Sequence, residues 1–326
     1  MNVVITGGAG FLGMRLARML LQRGQLTGTS GRPESIDKIV LLDIVAASEI
    51  ADKRIRAMVG DIADPALIAR ALDADTSSVF HLAAVVSGEA EADFALGMRI
   101  NLDATRMLLD ACRALPQPPR FVFASSVAVF GGALPEVVPA NVELNPQTSY
   151  GTQKTIGELL VNDYGRRGFV DARAVRLPTI CVRPGKPNRA ASSFASGIIR
   201  EPLRGIAAEC PVAPQTRMWL SSPRIAIENL IHSHELDSDS LGTNRALSLP
   251  GLTVTVAEML AALALVAGES VAARVHFRRD EKIERLVSSW PGALDTTRAS
   301  ALGFSVDANF SDIVRAHIAE TSSQQK

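Results

Sequence analysis

The run Asn2-Val3-Val4-Ile5-Thr6-Gly7-Gly8-Ala9-Gly10-Phe11-Leu12-Gly13 sets how the rest of the chain is read. A short apolar stretch that ends at glycines reads as a buried strand, and Met14-Arg15-Leu16-Ala17-Arg18-Met19-Leu20-Leu21 after it has the spacing of an amphipathic helix. In a strand–turn–helix unit of this kind Gly7 permits the tight turn. Gly10 lets the backbone approach a pyrophosphate, and Gly13 lets the helix pack closely on the strand. The amides at the helix start, from Phe11 and Leu12 onward, would receive the phosphates. Glycine spacing alone is a weak signal; its position between strand and helix is the context that a dinucleotide site requires.

Working outward, Lys38-Ile39-Val40-Leu41-Leu42-Asp43 reads as the next strand and ends in an acid. A carboxylate there accepts ribose hydroxyls and repels a ribose phosphate, which favours NAD over NADP. Asp43 arrives later than the usual interval because residues 25–37 form a polar insertion with Gly28, Gly31 and Pro33. Arg32 in that insertion could meet a phosphate, so NADP stays open. Strands are expected at 55–59, 78–84 and 120–124, with helices at 65–72 and 100–114 between them. This alternation predicts an α/β fold with a Rossmann-type, doubly wound parallel sheet. Ligands bind beyond the carboxyl ends of such strands, where Ser125 and Ser126 fall.

The division expected from the sequence is an NAD-binding domain over 1–178 and a smaller α/β substrate domain over 179–326. A later segment near 225–250 is expected to rejoin the first. Helices are expected at 225–236, 255–267 and 311–319, with Thr255 as N-cap of the second, and a strand at 246–249; residues 274–278 belong to the carboxyl-terminal portion.

Tyr150-Gly151-Thr152-Gln153-Lys154 carries the chemistry. On a helix, side chains four apart share a face at roughly 5–6 Å, so an ammonium can sit beside a phenol. A phenol with a pKa near ~10 is a poor base, and a neighbouring cation favours phenolate. Tyr150 is thus the candidate base, with Lys154 as its activator and Ser126 as a hydrogen-bond donor to the reacting oxygen. An ordinary helix with a core tyrosine and an exposed lysine has the same spacing, and Ser126 could be a turn or cap serine.

Composition narrows the classes. The 326 residues carry 34 bases and 34 acids and are 47% apolar, which gives ample core and no electrostatic footprint for nucleic acid or an anionic membrane. No apolar run approaches the ~20 residues of a membrane span, and a strand beginning at residue 2 leaves no room for a signal peptide. A soluble, cytoplasmic protein is expected, with a homodimer as the default assembly. Cys112, Cys181 and Cys210 are odd in number and scattered, which fits reduced thiols, and no metal site is expected.

With these residues in view, the chain resembles the extended short-chain dehydrogenases/reductases, the group of nucleotide-sugar epimerases and dehydratases, over most of its length. Thr6 to Gly13 match its T-G-x-x-G-x-x-G turn. The resemblance implies that Asp61, with Ile62 beside it, lies near the adenine. It puts Leu82, Ala83 and Ala84 of His81-Leu82-Ala83-Ala84 beside the phosphates, and Asn101 near the active site. Ser126, three residues before Val129-Phe130-Gly131, takes the place of the family serine, with Ser125 next to it on the substrate side. Tyr150 and Lys154 match the catalytic pair, Lys154 also holding the nicotinamide ribose, and Pro178 falls at the cofactor.

The family's nucleotide-sugar enzymes usually have an asparagine just after the strand that here ends Arg176-Leu177-Pro178-Thr179-Ile180, and this chain lacks it. The loop that follows, from Val182 to Phe194, holds three cations and several hydroxyl or amide groups, which suits a small hydroxylated anion. Arg183, Asn188, Arg189 and Ser192 are the candidate substrate contacts; a solvated basic loop is the plainer alternative. Within the family this pattern resembles dehydrogenases of small sugar acids, implying oxidation of the hydroxyl next to the carboxylate with NAD as acceptor. An epimerase or dehydratase with tightly bound NAD is the alternative, and a noncatalytic NAD-sensing protein a further one.

Overall fold

A computed structural model describes residues 1–48, 50–185 and 189–323, so the candidate Asn188 lies outside the described residues. The chain divides into two compact units. One is Met1–Ser126, Ser149–Arg176 and Ile227–Leu247; the other is Val127–Thr148, Leu177–Ala226 and Ser248–Lys326.

The first unit is built on a seven-stranded sheet. Its strands are β1 (Asn2–Thr6), β2 (Lys38–Asp43), β3 (Ile55–Val59), β4 (Thr76–His81), β5 (Arg120–Ser126), β6 (Asp171–Leu177) and β7 (Ala246–Ser248). They lie in the order β7-β6-β5-β4-β1-β2-β3. The pairs β1–β2, β1–β4, β2–β3 and β4–β5 run parallel. The order reverses at β1, so the crevice between the ends of β1 and β4 is the switch point where such sheets take ligands. Every residue of β1 and β4 is buried, as expected for central strands covered on both faces. Val4, Val40, Val79, Phe121 and Phe123 from the strands pack with Leu67, Leu108, Leu109 and Val161 from the covering helices.

Two local features depart from the sequence expectation. The insertion after the first helix (Phe11–Arg23) is an antiparallel hairpin, Gln25–Thr27 with Pro33–Ser35, whose Gly28 carbonyl accepts from Arg120 Nε at 3.2 Å. The helix expected over 100–114 begins as a π-helical segment, Met98–Asp103, before the α-helix Ala104–Arg113. Asn101 sits within this widened segment. Its amide satisfies both backbone groups of Val85, accepting from the N–H at 2.8 Å and donating to the carbonyl at 3.0 Å, which keeps the side chain turned inward.

In the second unit, Thr179–Ile180, Arg217–Ser221 and Leu252–Thr255 form a three-stranded sheet, and Ala208–Cys210 pairs in parallel with Val275–Phe277. Ile198, Ile199, Met218, Leu220, Met259, Leu263 and Val314 form its core. The helix Val256–Ala267 starts at a capping box in which Thr255 accepts from the Glu258 N–H and Glu258 reaches back to Thr255. Among the described residues no helix is long and apolar enough to cross a membrane.

Candidate active site

The glycine turn is shaped for a diphosphate. Gly7 sits at φ +68°, and a Cβ added there would lie 2.8 Å from the Ala83 nitrogen, so only glycine lets the two turns approach. At Gly13 an added Cβ would be 2.3 Å from the Gly7 carbonyl oxygen, which fixes the helix start against the turn. The amides of the first helical turn have no intrahelical acceptor, so a helix start of this kind can receive an anion. Asp43 Oδ2 accepts from the Ala9 N–H at 3.0 Å, tying the end of β2 to the turn and leaving further lone pairs for ribose hydroxyls. Together these residues fit an adenine dinucleotide. Asp61 pairs with Arg99 at 2.5 Å; burial resists its ionisation, but Arg99 and the Ala63 N–H hold its carboxyl below the ordinary value. Ile62 beside it is buried.

The second turn hangs from the first through a buried relay. Thr6 accepts from the backbone of Leu82 with its carbonyl and from Ala83 with its hydroxyl. The same hydroxyl meets His81 Nδ1 at 2.7 Å, and His81 Nε2 meets Thr105 Oγ1 at 2.8 Å. Thr105 donates to the Asn101 carbonyl, so it must accept from His81, which places the imidazole proton on Nε2. Burial, helped by the charge of Lys154, pulls the imidazole down to about 3, so His81 is neutral. Ala84 follows, half-buried, in the same turn.

The helix Ser149–Arg166 delivers Tyr150 and Lys154, and Glu91 accepts the Ser149 N–H at its start. Tyr150 is partly exposed; Lys154 is 2% exposed. The Lys154 Nζ donates to the Ala124 carbonyl at 2.8 Å and lies 4.6 Å from the centroid of the Phe123 ring and 5.7 Å from that of Tyr150. Burial brings the ammonium down to about 7, while Glu158 one turn further on pushes it up. Gln153, on the same buried face, accepts from Asn101 Nδ2 at 2.7 Å, joining this helix to the π turn.

Ser126 ends β5 partly exposed, at the carboxyl edge of the sheet. Ser125 is instead buried, and its hydroxyl donates to Glu158 Oε1 at 2.5 Å. Glu158 also receives Arg176, whose Nε and Nη2 reach its two oxygens at 2.9 and 2.7 Å. The sequence reading missed Glu158 and Arg176. The four-residue step from Lys154 to Glu158 was a visible signal for the first, and nothing local marked the second.

In the second unit, Pro178 is buried between Leu177 and the strand Thr179–Ile180. Arg183 is half-buried, donating its N–H to Ser196 Oγ at 2.9 Å and its Nε to the Ile180 carbonyl at 3.2 Å. Arg189 is exposed, and Ser192 is buried just before the helix Ser193–Leu203.

Known proteins resemble the chain over nearly its whole length. A protein from Cupriavidus necator named D-erythronate dehydrogenase is 59% identical over 318 residues, 98% of each chain. One of the same name from Haemophilus influenzae is 46% identical over 98% of this chain and 99% of its own. Among solved structures, one named as a nucleoside-diphosphate-sugar epimerase from Agrobacterium tumefaciens is 44% identical with a TM-score of 0.91, covering 98% of this chain and 94% of its own. An L-threonine dehydrogenase from Cupriavidus necator, 21% identical with a TM-score of 0.86 over 98% of this chain and 100% of its own, shares the fold. The model of the NAD dependent epimerase/dehydratase family matches residues 3–220. A glycine turn that admits a dinucleotide, an acid at the end of β2, and a Tyr150–Lys154 pair over the sheet edge therefore belong to a member of the NAD-dependent epimerase/dehydratase family, with NAD as its cofactor.

Proposed function

We propose that the protein oxidises the 2-hydroxyl of a small sugar acid, D-erythronate to 2-dehydro-D-erythronate, with release of NADH. The observation that carries this reading is the tyrosine–lysine pair on the helix Ser149–Arg166, Lys154 being buried beside the Tyr150 ring. The two relatives named D-erythronate dehydrogenase supply the substrate. NAD, when bound, supplies the hydride acceptor. Tyr150 takes the proton of the substrate hydroxyl as general base, and Lys154 stabilises its phenolate. Ser126 donates to the reacting oxygen and holds it within reach of Tyr150. Gly7, Gly10, Phe11, Leu12 and Gly13 cradle the diphosphate, Asp43 the adenosine ribose and Asp61 with Ile62 the adenine side. Leu82, Ala83, Ala84, Asn101 and Pro178 complete the cofactor contacts. Arg183 and Arg189, with Ser192, hold the substrate carboxylate.

In this reading residues 1–178, with a later segment near 225–250, bind NAD, and 179–326 mainly bind substrate. A cytoplasmic homodimer is part of the same proposal. The likeness to the Agrobacterium tumefaciens protein named as an epimerase favours a second reading, in which the hydride is returned to a nucleotide sugar. The missing asparagine after Leu177 speaks against it. Following absorbance of NADH with four- to six-carbon aldonates and uronates beside UDP-glucose and UDP-galactose separates the two. Stoichiometric NADH from D-erythronate is expected, with little reaction of UDP-sugars. Epimerised UDP-sugar without net NADH would overturn the dehydrogenase reading.

A further inference from the structure

One helical turn after Lys154 the first unit contains a buried acid that the proton-transfer chemistry does not touch. This acid, Glu158, is 4% exposed. Its two oxygens are gripped from two different strands. From β5, Ser125 donates to Oε1 at 2.5 Å; from β6, Arg176 donates Nε to both oxygens, at 2.9 and 3.1 Å, and Nη2 to Oε2 at 2.7 Å. The bidentate guanidinium fixes the orientation of this group. Burying two charges costs so much desolvation that an ion pair of this kind is weak as a source of stability. A negative charge held beside a buried amine has an electrostatic use instead.

We propose that Glu158, clamped by Arg176 and Ser125, is a positioning residue that keeps the buried Lys154 a cation and so holds Tyr150 ready to take the substrate proton. The inference rests on the dehydrogenase reading for the last step only. The surroundings of Lys154 decide its charge. Ala124 offers a carbonyl and Phe123 a ring face, both favourable to an ammonium but neither a full charge. His81 on β4 is neutral, and Tyr150 on the same helix is the group to be activated. Arg176 on β6 is paired to Glu158. Glu158 is therefore the acid among these groups that offsets the burial of Lys154. Burial lowers the Lys154 ammonium and Glu158 raises it, with the balance at about 7, so the charge of Lys154 near neutrality is sensitive to this acid.

The chain has six lysines, so selective 13C labelling at lysine Cε gives a spectrum in which Lys154 is identified by its disappearance in Lys154→Met. Titrating the full-length protein without substrate should show the Lys154 midpoint falling by about one pH unit or more in Glu158→Gln, since a unit is the usual scale of one close charge. Turnover near neutrality should fall about 10-fold while NAD affinity changes by less than about 3-fold. Glu158→Gln takes from the buried Arg176 the carboxylate it grips and can damage folding, so the double variant Glu158→Gln/Arg176→Met is titrated beside it. There the ion pair is gone as a unit, and the Lys154 midpoint should remain low even with the fold intact. A midpoint unchanged from wild type in the double variant would overturn the proposal and reduce Glu158 to packing. A wild-type protein that forms no NADH from any sugar acid would defeat the dehydrogenase reading instead, because the titration needs no substrate.

Discussion

In both units buried arginines close on main-chain oxygens, but on different parts of the chain. In the first unit Arg173 and Arg120 are struts. Arg173 is fully buried and donates to the carbonyls of Ser233, Leu236 and Asp171, while Arg120 donates to those of Gly28 and His234. Burial draws Arg173 down to about 10, against the pull of Asp171, a measure of how far this guanidinium has been taken from water. In the second unit Arg200 is also buried, and it donates to the carbonyl of Arg183, while Arg204 donates to that of Gly185. These two tether the near side of the segment that bears Arg183 and the exposed Arg189. An arginine count in the sequence cannot separate strut from ligand holder. Burial and the identity of the acceptors can, because a fork closed on main-chain oxygens has little left for a solute.

Breaking the first unit's chemistry should give the largest effect. Tyr150→Phe keeps the ring and removes the base, so turnover should drop about 10²-fold or more with NAD affinity nearly unchanged. Ser126→Ala should also lower the rate. Steady-state kinetics beside calorimetric NAD titration checks this, and a near-normal rate in Tyr150→Phe would remove the tyrosine from the mechanism. The contrast between the two sets of arginines is sharpened by Arg183→Ala and Arg189→Ala. Loss of a charge-assisted contact to the substrate carboxylate should cost about 1.5–3 kcal/mol, expressed mainly in KM for the acid, with NAD binding retained. If both variants keep wild-type KM, the anion is held elsewhere and neither arginine is a ligand holder. The smallest change is expected at Asp43. Asp43→Ser should weaken NAD binding by about 10-fold, the scale of one charge-assisted hydrogen bond, and relax discrimination against NADP. Tighter binding of NADP than NAD by the wild-type protein would move the ribose away from Asp43.

The sheet was legible because its information is local. β1 and β2 announce themselves by the apolar runs Val3-Val4-Ile5 and Ile39-Val40-Leu41-Leu42, and the glycines after β1 can be read without any partner. The helix carrying Tyr150 and Lys154 was legible for the same reason. The π turn at Met98–Asp103 was not, and its Asn101 meets Val85, 16 residues away, and Gln153, 52 away. Ser125 shows the limit most plainly: its position beside Ser126 suggested substrate, whereas the structure turns its hydroxyl to Glu158, 33 residues on. Neighbours supplied by other strands are invisible to spacing. The hairpin within residues 25–37 escaped for a different reason, its two strands being only three residues each and largely polar.

The relay through His81 has a consequence for anyone recombining this protein with its relatives. From the Ala83 amide through Thr6, His81 and Thr105 to the Asn101 carbonyl, each interior member gives one proton and takes one, so the chain has a single direction. Its interior groups are fully buried, and a break at any of them strands a donor on one side and an acceptor on the other. Thr6→Val, for instance, leaves both the Ala83 N–H and His81 Nδ1 without their partner. Thr6, His81 and Thr105 thus form one coupled unit spread over about a hundred residues of chain. A crossover placed anywhere between Thr6 and Thr105 is safe only if the incoming half carries the matching hydroxyl or imidazole.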